Sequence, residues 1–319
     1  MSRTAVSDPL IPPVASDPPE ARADWLETLA LSKRDKNSSL QDLVQEIHRS
    51  GSTDGLENVE TLEEITDAGS EQSQVLAEDT FTEIGDRLTA CGSAYRAYPF
   101  EVQSQYIRAR RGYEKCVYTF LLLLSRFGIN AGPPCIDAPD LFERIGAWAA
   151  QKYFGGADRG VQSYLFGFPR RVAPKGFSSA VDDLCRQVGE GGGCKDHPTR
   201  KDQKDAKLDL AVWRAFGDRR VGKLIAFGQC AAGSDWPSKL SELQPKAFCQ
   251  KWMNDLPAVP AVRMFLVPFR VEQRKWDHVC IDAGILFDRC RIAALTTDLE
   301  PGLRKQCAEW SRYVSKTYL

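Results

Sequence analysis

KDAKLDLAVWRAFGDRRVGKLIAFGQCAAG, Lys204–Gly233, reads as two β-strands and the turn that joins them. Apolar residues flank Gly217-Asp218-Arg219-Arg220, and Gly and Asp are favoured by tight hairpin turns. The first strand carries Asp209 and the second Gln229. The turn centre falls near position 219, ten residues from each, so a regular antiparallel hairpin sets the two roughly opposite one another. A charged loop feeds the first strand and a Gly/Ala run ends the second.

The chain has 319 residues, 43% of them hydrophobic, enough for one large core or two modest ones. A net charge of -1 excludes a globally basic nucleic-acid binder, but charge is unevenly spread. Residues 1–90 carry 19 acidic against 7 basic side chains, whereas 152–223, which include the hairpin, carry 15 basic against 9 acidic. Ten scattered cysteines without a CxxC pair, and a start lacking a basic segment followed by an apolar run, predict reduced thiols and a cytoplasmic location. Cys185, Cys194 and His197 lack both a fourth zinc ligand and regular spacing. The apolar run Phe120–Leu124 is far too short to span a bilayer, so no membrane association is expected.

Outward from the hairpin, DLFERIGAWAAQKYFGG (Asp140–Gly156) places Leu141, Ile145, Trp148, Ala149 and Tyr153 on helical spacing. Glu143 has two readings there: the partner of Asp140 in a D-x-x-E capping box, or a side chain turned towards the hairpin. Leu165–Pro174 is expected as a short strand, Ser178–Val188 as a helix, and 189–205 as a long Gly-rich, then charge-rich loop. Beyond the hairpin, one or two short helices in Asp235–Gln250 precede an apolar strand at Val262–Phe269. Helices are expected within Asp277–Leu295 and over 303–318.

Nearer the N-terminus, five prolines in residues 1–23 predict a flexible arm. A helical region is expected over 24–130: a short helix at Trp25–Leu31, one capped by Ser38 or Ser39, one over Glu71–Ala90, and a long one over Glu101–Phe127. Arg108, Arg110 and Arg111 interleave with Tyr106 and Tyr113 in that last pattern, which suits either phosphate and base contacts or an ordinary solvated face. Residues 131–319 are then expected as a single α/β domain.

The order helix, strand, insertion, strand, turn, strand, helix, strand over 140–270, with Glu143, Asp209 and Gln229 on it, resembles the helix–strand–strand–strand–helix–strand core of the PD-(D/E)XK phosphodiesterases, the restriction-endonuclease-like superfamily. The resemblance implies an α/β core with a central mixed sheet flanked by helices. It implies Asp209 and Gln229 as ligands of Mg²⁺, with Mn²⁺ as a substitute, joined by the carbonyl of Cys230 and by Glu143. It also implies hydrolysis of DNA, with RNA left open, in bacterial antiviral defence or restriction, and a helical N-terminal region serving a protein partner or oligomer. Mg²⁺ chemistry accounts for such residues independently: the ion takes oxygen ligands, keeps several waters, polarises a phosphoryl oxygen and lowers the pKa of a bound water.

One position departs from the family. Its lysine, two residues after the third-strand acid, falls at Ala231. Lys239, on the segment after the strand, and Lys207, on the side of the neighbouring strand that Asp209 faces, are the candidate replacements. If neither serves, a catalytically inactive nuclease-fold protein that binds nucleic acid or a protein partner is the alternative. The plain alternative to both is a hairpin whose Asp209 and Gln229 are ordinary polar residues.

Overall fold

The structure is a computed structural model of the chain and describes residues 11–51, 62–92, 97–170, 173–196 and 204–319. Helix α1 (Pro19–Ser32) opens on a proline, whose missing N–H is no loss in a first turn. Glu20, Arg22 and Ala23 are already buried in it, so the expected arm stops short of Pro19. Strand β1 (Asn37–Ser39) runs into α2 (Leu40–Gly51). Ser39 caps that helix: its Oγ accepts the Asp42 N–H at 3.2 Å, while Asp42 Oδ2 accepts the Ser39 N–H at 2.7 Å. Helix α3 (Leu62–Ala90) contains the expected Glu71–Ala90 segment.

The long helix expected over Glu101–Phe127 is instead two strands and a shorter helix: β2 (Phe100–Val102), β3 (Tyr106–Ala109) and α4 (Val117–Phe127). Ile107 and Ala109 are buried and Arg108 between them is exposed, the alternation of a strand. Gly112, at φ 80°, turns the chain before the helix starts. Strand β3 lies between β1 and β2 in a small antiparallel sheet.

From residue 138 the elements are α5 (Ala138–Tyr153), β4 (Val161–Leu165), α6 (Phe177–Val188), β5 (Leu210–Arg214), β6 (Leu224–Cys230), α7 (Pro245–Trp252), β7 (Val262–Leu266), α8 (Trp276–Ala283), β8 (Ile285–Phe287), α9 (Arg289–Leu295) and α10 (Pro301–Tyr318). The protein is α/β, with a mixed five-stranded sheet in the order β4-β5-β6-β7-β8. The first two pairings are antiparallel and the last two parallel. The strand expected at Leu165–Pro174 lies upstream, because the chain extends as soon as it leaves Gly160 at φ 77°. The hairpin connection spans 215–223 rather than a tight turn. The expected 277–295 helix breaks at Gly284, where φ is 70° and a Cβ would collide with the Arg263 carbonyl, and β8 follows.

Alternation sorts the sheet residues between two layers. Leu210, Val212, Ala226 and Leu266 join a core with α5, while Ala211, Trp213, Ile225 and Phe227 pack with α6 and α7. The first core runs from Ala23 to Val314 without a break at residue 130, and α4 packs on α9 and α10. The N-terminal helices therefore share their interior with the α/β part.

Buried charges seal that junction. Arg87 binds Asp24 at 2.7 Å, Glu27 at 2.9 Å and Glu83 at 2.7 Å, and Arg289 of α9 reaches Asp24 at 2.5 Å. Tyr98 and Tyr118 donate to Glu27 at 2.7 and 2.9 Å. The two arginines hold Asp24 well below the ordinary carboxylate range against the opposing effect of burial. Burying ions costs several kcal/mol each and is tolerated only when every charge is paired, as here. Among the described residues no helix is long and apolar enough to cross a membrane.

Candidate functional site

The site lies where β5 begins and β6 ends. The ladder pairs Leu210 with Gly228, so one step further Asp209 faces Gln229. Asp209 is fixed by its main chain first. Its N–H donates to the Gly228 carbonyl at 3.0 Å, and its carbonyl accepts Phe166 N–H at 2.7 Å and Gly167 N–H at 2.9 Å. The carboxylate then bends across the strand, and Oδ2 accepts the Cys230 N–H at 2.7 Å.

Gln229 is 5% exposed. Its Nε2 donates to Glu242 Oε2 at 2.8 Å, while its Oε1 is buried without a hydrogen-bond partner. A buried amide oxygen left unpaired costs about 1–3 kcal/mol and marks a place where an ion or water belongs. Lys207, in a left-handed conformation at φ 70°, sends its ammonium to Glu242 at 3.2 Å. Asp205 holds the same loop by accepting the Lys207 N–H at 2.9 Å.

Glu143 arrives from α5. The cap of that helix is Asp137, which accepts the Asp140 N–H at 3.2 Å, so the capping-box reading fails and Glu143 turns inward. It stands against Gly167, where any Cβ would collide with Glu143 Oε2. Gly167 is also hydrogen-bonded to the Asp209 carbonyl, so one residue buttresses both acids. At Gly146, one turn on, a Cβ would lie 2.8 Å from Leu266 Cδ2 and 3.4 Å from Cys230 Sγ, which is why α5 sits so close to the sheet.

Crowding sets the protonation. Burial is the largest influence on Asp209 and pushes it up to about 7; Asp205 and Glu242 push the same way, against the Cys230 N–H and Lys207. Burial and then Asp209 push Glu143 up to about 9. The Cys230 thiol, raised mainly by burial and further by the two acids, is an inert neighbour.

The expected group therefore assembles in part. Glu143, Asp209, Gln229 and Cys230 share one corner, and Lys207 joins it through Glu242. Lys239 does not: its ammonium is paired with Asp235 at 2.9 Å on the outer loop. Ala231 is 3% exposed among Phe265, Val267 and Val279, so the strand position that would carry the lysine points into an apolar cluster. Glu242 and Asp205 went unread in the sequence, because neither sits in a periodic pattern and only the pairing needs of Gln229 and Lys207 reveal them. His197, the third residue of the irregular cysteine–histidine set, lies outside the described residues.

Among the described residues, no three His, Cys, Asp or Glu side chains group closely enough to hold a metal ion. The donors that fit a hard cation are mixed: the Asp209 carboxylate, the orphaned Gln229 Oε1 and Glu143, with the Cys230 carbonyl as a main-chain candidate. Asp209, driven to about 7 chiefly by burial, and Glu143, driven to about 9 by burial and then by Asp209, are acids that a divalent cation would deprotonate. No protein-family model, curated protein or solved structure matches this chain.

Proposed function

We propose that the chain is a metal-dependent nuclease, hydrolysing phosphodiester bonds of DNA on a restriction-endonuclease-like core. The observation that carries the reading is the Asp209–Gln229 pair, with a buried, unpartnered amide oxygen and Glu143 beside it. The succession α5-β4-β5-β6-α7-β7, with α6 and its following loop inserted between β4 and β5 and with two antiparallel pairings and then a parallel one, supports it through the resemblance to the PD-(D/E)XK superfamily. Restriction or antiviral defence is the setting that the resemblance implies.

Asp209, Gln229 Oε1 and the Cys230 carbonyl would hold Mg²⁺ or Mn²⁺, with Glu143 completing the set. The bound ion offsets phosphate charge and supplies a water of lowered pKa. Asp209 and Glu143, raised to about 7 and 9, would hold such an ion as carboxylates. Glu242 orients Gln229 by accepting Nε2–H, which leaves Oε1 buried and free to accept. Lys207 is the residue for a phosphate oxygen or the attacking water: it is the lysine beside Asp209, and its exposed ammonium can leave Glu242 for an incoming anion.

The test is cleavage of plasmid and oligonucleotide DNA with Mg²⁺ or Mn²⁺, comparing the parent chain with Asp209→Asn. Equal cleavage by both, or none by the parent with either metal, overturns the reading. The second reading, a nuclease-fold protein that binds nucleic acid or a protein partner without turnover, is favoured by the apolar surroundings of Ala231. It predicts salt-sensitive binding of DNA and no product.

A further inference from the structure

A second concavity lies away from that site, between the short 3-10 turn Tyr113–Lys115 and α10, with a volume of about 820 Å³. None of its lining residues belongs to the candidate metal site. Six cationic side chains face it: Arg110, Arg111, Lys115, Arg304, Lys305 and Arg312. In a chain of net charge -1, such a concentration is local.

The acids nearby do not neutralise it. Asp298, in the wall, is committed to Lys152 of α5 at 2.5 Å. Glu309 is 3.8 Å from Lys305, Glu114 is 3.4 Å from Arg312, and Glu101 is 3.7 Å from Arg110. Three cations keep their charge. Arg304 is spent on neutral acceptors, the carbonyls of Thr297 and Leu299 at 2.8 and 3.2 Å. The Arg111 and Lys115 side chains are exposed and have no hydrogen-bond or ion-pair partner among the described residues. Gly112, at φ 80°, begins the turn that sets these two on the rim.

The remaining wall is not charged. Pro99, Tyr113, Cys116, Leu299 and Ala308 complete the lining with apolar surface. A cavity whose lining combines a surplus of about three positive charges with apolar surface matches a compact molecule with clustered phosphates and a flat ring. Its volume is that of pockets which enclose small ligands. An extended nucleic-acid backbone suits it less, because Glu101, Glu114 and Glu309 stand around the cations and repel a strand running past them.

We propose that this cavity binds a nucleotide bearing two or more phosphates. Arg111, Lys115 and Arg304 take the phosphates, and the apolar surface of Tyr113, Leu299 and Ala308 takes the base. The proposal is independent of the nuclease reading and survives its failure.

The experiment is isothermal titration of the full-length chain with ADP, GDP, CDP and UDP, with adenosine and pyrophosphate as the two halves of the ligand. At least one diphosphate is expected to bind saturably and to weaken as NaCl is raised. Adenosine and pyrophosphate each should bind at least about tenfold more weakly. The double substitution Arg111→Glu/Lys115→Glu should lower diphosphate affinity at least about tenfold and leave the melting temperature unchanged, since neither side chain has a partner to lose. Arg304→Lys, which keeps the charge but not the fork, should weaken binding less than the double substitution. Absence of saturable binding by all four diphosphates overturns the proposal. So does pyrophosphate binding as tightly as the best diphosphate, or duplex DNA binding that the double substitution abolishes while no diphosphate binds.

Discussion

Gln229 donates its amide N–H to Glu242 at 2.8 Å, and this fixes the other end of the same amide, Oε1, in a buried position with no donor to meet it. Glu242 thus acts on the site through Gln229 and also anchors Lys207. Replacing Glu242 by Ala frees both. Metal affinity, read by Mn²⁺ titration, is expected to fall about 10–100-fold, as for other groups that orient a ligand. An unchanged affinity would remove Glu242 from the site. Gln229→Glu sets two carboxylates in contact, so it should lower the melting temperature without metal, with Mg²⁺ restoring it.

Glu143 makes stability depend on pH with a definite sign. Its folded-state value is raised from an ordinary value of 4.5 to about 9, so over that interval the folded chain binds more protons than the unfolded one. Stability from this group is full below about 4.5 and falls as pH rises through 9. Asp209, raised from 3.8 to about 7, adds to the decline over its lower interval. Glu143→Gln removes the larger titration. Its melting temperature should exceed the parent's by roughly 3 °C at pH 8 and match it near pH 5. Mg²⁺ should raise the parent's melting temperature more at pH 8 than at pH 6, since the ion displaces those protons. A pH-independent gap would contradict the assignment.

Asp209 has a structural duty that separates its variants. Its carboxylate satisfies the Cys230 N–H, so Asp209→Ala leaves a donor unpaired and should cost about 1–3 kcal/mol in urea unfolding. Asp209→Asn keeps an acceptor and should cost less. Both should lose metal-dependent cleavage. Retention of cleavage by the stably folded Asn variant would exclude Asp209 as a ligand.

The two lysines give opposite expectations. Lys239 is paired with Asp235 away from the acids, so Lys239→Met should leave any cleavage within about twofold of the parent. Lys207→Met should reduce it at least about tenfold. Ala231→Lys forces an ammonium among Phe265, Val267 and Val279, and is expected to destabilise by about 2 kcal/mol or more rather than to create activity. A stable, more active Ala231→Lys chain would show that this cluster opens.

In the buried charge network, Arg87→Met strips one partner from each of Glu27, Asp24 and Glu83. Loss of about 3–5 kcal/mol is expected, as when one member of a buried ion pair is removed. Because the network joins α1, α3 and α9, unfolding should remain a single transition by circular dichroism and by tryptophan fluorescence.

The opposition of Asp209 and Gln229 was legible in the chain because antiparallel pairing is symmetric about its turn. Equal spacing from position 219 fixes it whether the connection is a tight turn or the longer 215–223 loop. The apolar run in α4, the glycine ends of α5 and the mixed α/β character were legible for the same reason: each rests on periodicity along a few neighbouring residues. Short strands gave no such signal. The four residues of β3 and the three of β8 alternate too briefly to be told from a helix face, and only their partners identify them. Which other side chains join Asp209 and Gln229 was a matter of tertiary packing. Asp137 took the cap and released Glu143, Gly167 left it room, Glu242 claimed the Gln229 amide, and Asp235 drew Lys239 away. Those outcomes are competitions for hydrogen bonds and charge between segments distant in sequence, and they are decided by which groups the packed core brings within reach.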